Sequence, residues 1–146
     1  MRAMFFRVEA EKGHPLNWKL ALQLSMFGLG MGIATVFVIP SNIEPLLWLT
    51  IFVVCAAIIS KQCRKWYFLN GLMVSAVNSV WVTSAHVLLF DSYKAGHASE
   101  IEMMARIPMG GSPRLMMILL FPVVGIVSGL VLGLFSYAAH LLRTNF

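Results

Sequence analysis

Charge is what this sequence has least of. Asp, Glu, Lys and Arg make up 12% of its 146 residues, about half the share usual in soluble domains. No charged residue stands between Lys19 and Glu44, between Glu44 and Lys61, between Lys65 and Asp91, or between Arg114 and Arg143. Ion-coupled transporters, voltage sensors and membrane hydrolases place ionisable groups inside their spans. Their absence argues against proton-coupled export, voltage sensing and carboxylate-based hydrolysis. Small multidrug exporters need a glutamate in their first helix, and this first apolar run has none.

Cysteine is nearly as scarce. Cys55 and Cys63 are the only two, and helical spacing puts them about 12 Å apart along the axis. A disulfide cannot close over that distance. Neither belongs to a CxxC pair, so thiol oxidoreductase chemistry is not indicated, and Cys55 reads as a small apolar residue. A cleavable signal peptide is also not expected. The first apolar run starts only near Leu16, continues to Ile39 and is followed by no convincing small-x-small site.

What the chain has is hydrophobic length. Apolar residues reach 59% and lie in long blocks, a composition that leaves too little polar surface for a small water-soluble fold. The expected architecture is a single all-α domain over residues 1–146, a polytopic bundle of four transmembrane helices. The spans are expected over about 16–39, 43–60, 66–90 and 113–142, with a loop over 91–112. Asn42 is a candidate cap for the second, with Glu44 in its first turn and Lys61 at its last. Ser112 and Pro113 suit the start of the fourth, and Pro122 should kink it. In the loop, Ser99 and Glu102 have capping-box spacing, which predicts a short helix from Glu100 to Ile107.

Net charge is +5, but the basic residues separate the apolar runs instead of forming one patch, so nucleic acid is not an expected partner. Arg2, Arg7, Lys12, Lys19, Lys61, Arg64, Lys65 and Arg143 fall on one side, and Lys94, Arg106 and Arg114 on the other. The richer side should be cytoplasmic, which puts both termini inside. The expected location is a bacterial-type inner membrane, with the lipid bilayer as the immediate partner and a homo-oligomer or membrane complex as a further one.

Small residues mark contact faces, since helices in lipid meet where backbones can approach. Gly28 and Gly32 share a face of the first helix, and Gly125, Gly129 and Gly133 share one of the fourth. These lines serve packing within the monomer or between monomers. On the third helix Ser75, Asn78, Ser79, Val82 and His86 fall within about a third of the circumference. That stripe either lines a pore or cleft or makes interhelical hydrogen bonds, with Ser128 and Thr35 as candidate partners for Asn78.

No cofactor is implied. His86 and His97 with Met103, Met104 and Met109 form the weak candidate set for a metal, since thioether and imidazole suit Cu(I). Against it, the methionines lack repeated short spacing, and adaptable packing accounts for them. His14 could approach His140, and His97 could approach His86, but either pair reads as incidental interfacial histidines because nothing else fixes a ligand geometry. The leading expectation is therefore a non-enzymatic membrane protein acting through helix packing, as an oligomer or a complex subunit. The alternative is a small channel or facilitator for a neutral solute or metal ion, lined by the polar face of the third helix. An enzyme ranks behind both.

Overall fold

The computed structural model describes residues 16–108 and 111–145. Among these residues the chain forms six helices: α1 (Trp18–Phe37), α2 (Glu44–Gln62), α3 (Tyr67–Leu88), α4 (Phe90–Gly96), α5 (Ala98–Ala105) and α6 (Pro113–Asn145). Four of them, α1, α2, α3 and α6, are long and apolar enough to cross a membrane. Even the shortest, α2 with 19 residues, extends about 28 Å, close to the hydrocarbon thickness of a bilayer.

The helix ends have identifiable causes. Asn17 caps α1, its side chain accepting the Leu20 N–H at 3.1 Å. Ser112 caps α6 through the Leu115 N–H at 3.3 Å, and α6 then continues through Pro122. Asn42, in contrast, does not cap α2. The Pro40 carbonyl accepts the Ile43 and Glu44 N–H groups at 3.1 and 3.3 Å, so that turn is closed by backbone. Trp66 starts α3 from the left-handed region, at φ 59°.

The segment after α3 departs from the sequence expectation. The helix stops at Leu88, and two short helices follow where one was expected over 100–107. Ser99 closes no capping box: its hydroxyl donates to the adjacent Glu100 carboxylate at 2.9 Å. Tertiary contacts hold this segment instead. Tyr93 and Ile101 are buried with Val36 and Met117 in a small apolar cluster. A hydrogen bond from Ser41 reaches Glu100 and holds its carboxyl below the ordinary value.

The long helices alternate in direction, and α3 lies between α1 and α6, with α2 packed mainly on α6. At the end of the bundle near Lys61 the core is tight. Leu20, Leu24, Cys55, Ile59, Val74 and Leu132 form one buried cluster there. Arg143 donates to the Ser60 carbonyl at 2.6 Å, and His140 stacks on Tyr67 with centroids 4.0 Å apart. Its expected neighbour His14 lies outside the described residues. Both cysteines are free and buried.

Close approach along α3 depends on glycine. A Cβ at Gly32 would stand 3.0 Å from Val82 Cα, one at Gly129 3.3 Å from the Leu72 carbonyl, and one at Gly133 2.9 Å from the Phe68 carbonyl. Gly28 faces Asn78, Gly125 faces Ser79, and Gly71 meets Gly133 backbone to backbone. All five glycines singled out from sequence thus face α3 within one chain.

Candidate functional site: a cleft between α2 and α6

Toward the Tyr93 end, α2 and α6 enclose a cleft of about 700 Å³ floored by α3. Ligand sites commonly fall in the range of about 300–1,000 Å³. The floor is the polar stripe: Ser75, Asn78, Ser79, Val82, Thr83 and His86 all line it. One wall comes from Glu44, Trp48, Leu49 and Phe52, the other from Phe121, Val124, Val127, Ser128 and Val131, and Met104 of α5 closes the mouth. Thr83 is a floor residue missed by sequence reasoning, although its place four residues after Ser79 puts it on the edge of the same face.

Short hydrogen bonds tie the floor to its neighbours. Ser128 Oγ lies 2.5 Å from the Val124 carbonyl and gives its proton there. Ser75 and Ser128 share a 2.8 Å hydrogen bond between their hydroxyls. Ser79 donates to the Ala76 carbonyl at 2.8 Å. Thr35 Oγ1 lies 2.9 Å from the Met31 carbonyl and 2.8 Å from His86 Nε2, a hydrogen bond that ties α1 to α3.

Asn78 is the exception. It is 3% exposed, and neither its Oδ1 nor its Nδ2 has a hydrogen-bond partner. The two partners expected from sequence are occupied elsewhere, Ser128 by Ser75 and Thr35 by His86. Most buried polar side chains are paired, and an unpaired amide costs about 1–3 kcal/mol.

Above the floor, His86, Tyr93 and His97 form a stack, with ring centroids 4.3 Å apart for the first pair and 4.2 Å for the second. His97 Nδ1 donates to the Tyr93 carbonyl at 3.3 Å, and its Nε2 is buried without a partner. Burial, assisted by the Glu44 and Glu100 carboxylates, pushes the Tyr93 phenol up to about 12. His97 reaches His86 only through this phenol ring. Two imidazoles on opposite faces of one ring cannot ligate a common ion at about 2 Å each. Met103 is exposed, Met104 faces the cleft, and Met109 lies outside the described residues. No group of three or more His, Cys, Asp or Glu side chains among the described residues is arranged to hold a metal.

The chain matches no family model, no curated protein and no solved structure.

Proposed function

We propose that this is a non-enzymatic membrane protein that binds a neutral molecule in the α2–α6 cleft, as a carrier or facilitator. One observation carries the proposal: Asn78, whose amide has no hydrogen-bond partner, is one of the residues that line an apolar-walled cleft of about 700 Å³. An interhelical packing role would have given that amide a partner on a neighbouring helix. A ligand polar group supplies one instead. Ile59 and Leu132 are 0% exposed at the other end of the bundle, so the core is filled there.

The glycine lines are used up against α3, which weighs against an oligomer built on them. The Lys and Arg asymmetry supports a multi-pass orientation with both termini cytoplasmic, in a bacterial-type inner membrane.

The test is mass spectrometry of the intact protein released from native membrane nanodiscs, for the parent and for Asn78→Leu. The parent should carry a small molecule that the variant loses while keeping its melting temperature. A parent that carries none, or that co-purifies in stoichiometric amount with another membrane protein, returns the function to helix packing in a complex.

A further inference from the structure

Folding gathers at one end of the bundle cations that the sequence spreads along the chain. Lys19 lies at the start of α1, Lys61 at the end of α2, Arg64 and Lys65 in the turn to α3, and Arg143 at the end of α6; all are exposed. Contacts between the helix ends bring them together. Leu20, next to Lys19, packs in one cluster with Ile59 and Cys63. Arg143 reaches the Ser60 carbonyl, and Tyr67 of α3 stacks on His140 of α6.

The charges on this face have nothing to offset them among the described residues. Glu44, Asp91, Glu100 and Glu102, the carboxylates of those residues, stand toward the opposite end. The one ion pair among the described residues, Arg106 with Glu102, is there too. Lys19, Lys61, Arg64 and Lys65 have no hydrogen-bond or ion-pair partner among the described residues. Like charges on one face repel, and an anion from outside the chain relieves that repulsion.

The turn that carries Arg64 and Lys65 is fixed. The Cys63 N–H closes α2 on the Ile59 carbonyl at 2.9 Å, and the Tyr67 hydroxyl donates to the Arg64 carbonyl at 3.0 Å. Trp66 follows at φ 59°, a left-handed conformation rare for a bulky side chain. Backbone strain that a fold retains points to a use for the geometry. Here it sets a 53% exposed indole directly after two cations. Trp18, 57% exposed, stands likewise beside Lys19. Indoles of this kind favour the headgroup level of a bilayer.

Position selects the anion. Lys19 and Lys61 lie in the terminal turns of membrane-length helices, and Arg64 and Lys65 join two such helices. Side chains there reach lipid headgroups. A zwitterionic headgroup brings its own cation, whereas an anionic one offers net negative charge to the face.

We propose that this end of the bundle is a binding face for anionic phospholipid headgroups, selected over zwitterionic ones by Lys61, Arg64 and Lys65. The face is separate from the α2–α6 cleft and stands or falls without it.

The full chain is reconstituted in phosphatidylcholine vesicles containing a varied fraction of lipid brominated high on its acyl chain, either phosphatidylglycerol or phosphatidylcholine. Contact with bromine quenches indole fluorescence. The Trp66 signal is the difference between the parent and Trp66→Gly, glycine being the residue that suits a left-handed position. Trp48, toward the other end, is the control, read against Trp48→Phe.

At about 0.1 M salt the brominated phosphatidylglycerol should quench Trp66 at about fivefold lower mole fraction than the phosphatidylcholine, the worth of roughly one cation near an anionic surface. It should have no such advantage at Trp48. At about 1 M salt, where the screening length falls to about 3 Å, the advantage should shrink to about twofold or less. The variant Lys61→Gln/Arg64→Gln/Lys65→Gln should lose it at low salt; the salt series decides the matter if that variant does not fold. Equal quenching of Trp66 by the two lipids, an equal advantage at Trp48, or a gap unchanged by salt overturns the proposal. Displacement of the phosphatidylglycerol by inorganic phosphate at matched ionic strength also overturns it, since the ligand would then be a soluble anion.

Discussion

The backbone N–H of Asn17 donates to Oδ1 of Asn70 at 2.8 Å, tying the start of α1 to the first turn of α3. Asn70 is 2% exposed, and its Nδ2 also donates to the Trp66 carbonyl at 3.0 Å. One side chain therefore serves a helix entry on each side of it. Asn70→Ala should lower stability by about 1–3 kcal/mol, because buried polar groups lose partners rather than exchange them for water. Thermal unfolding in detergent measures it, and an unchanged melting temperature would count against this junction as a structural tie.

Gly28 and Gly30 sit two residues apart on α1 and should respond in opposite ways. A Cβ on Gly28 would stand 2.8 Å from the Asn78 Cα, which cannot move aside alone, whereas one on Gly30 meets nothing within 4 Å. Gly28→Ala should cost about 1–3 kcal/mol through overpacking. Gly30→Ala should be neutral or stabilise by up to about 1 kcal/mol through helix propensity. Equal effects in paired melting curves would place the α1–α3 contact elsewhere.

Tyr93 sets an alkaline limit on the segment formed by α4 and α5. Its phenol is raised from 10.0 to about 12, so the folded state favours the protonated form. The corresponding stabilisation is complete below pH 10 and is lost as pH rises through about 12. Phenolate absorbance should show one late-titrating tyrosine that is missing in Tyr93→Phe. The melting temperature of that variant should fall less steeply than the parent's over the same pH range. Parallel decline in the two proteins would remove Tyr93 as the cause.

Orientation is open to direct labelling. Lys61 and Lys94 are both exposed, and the native thiols are buried. Cysteine placed at Lys94 should react with a membrane-impermeant reagent in intact cells, and cysteine at Lys61 should be protected. The reverse pattern would invert the assignment drawn from the basic residues.

The four long helices are legible from the chain alone because a bilayer demands long uninterrupted apolar runs, and charges mark where each run stops. The polar stripe is legible for a similar reason, since the spacing of Ser75, Asn78, Ser79 and His86 follows directly from the helical repeat. Pairing on that stripe is not. Whether Asn78 or Ser75 reaches Ser128 depends on how α3 and α6 are rotated about their axes, and no local signal encodes that. The α4–α5 segment is illegible for a different reason. Its helices have 7 and 8 residues, too short to hold by propensity, and contacts with distant parts of the chain set their limits. Asn70 went unnoticed because a single asparagine near a helix start has no periodic pattern to reveal it.

The central position of α3 has a consequence for biosynthesis. It is the least apolar of the four long helices, and it emerges from the ribosome before α6. Until α6 arrives, Gly71, Ser75 and Ser79 have no protein surface on that side and must face lipid or the insertion machinery. Membrane insertion of α3 is therefore provisional for the time needed to translate the residues from Leu89 to Leu132. A chain truncated before Pro113 would expose the same polar stripe to the bilayer permanently, the kind of fault that membrane quality-control proteases recognise.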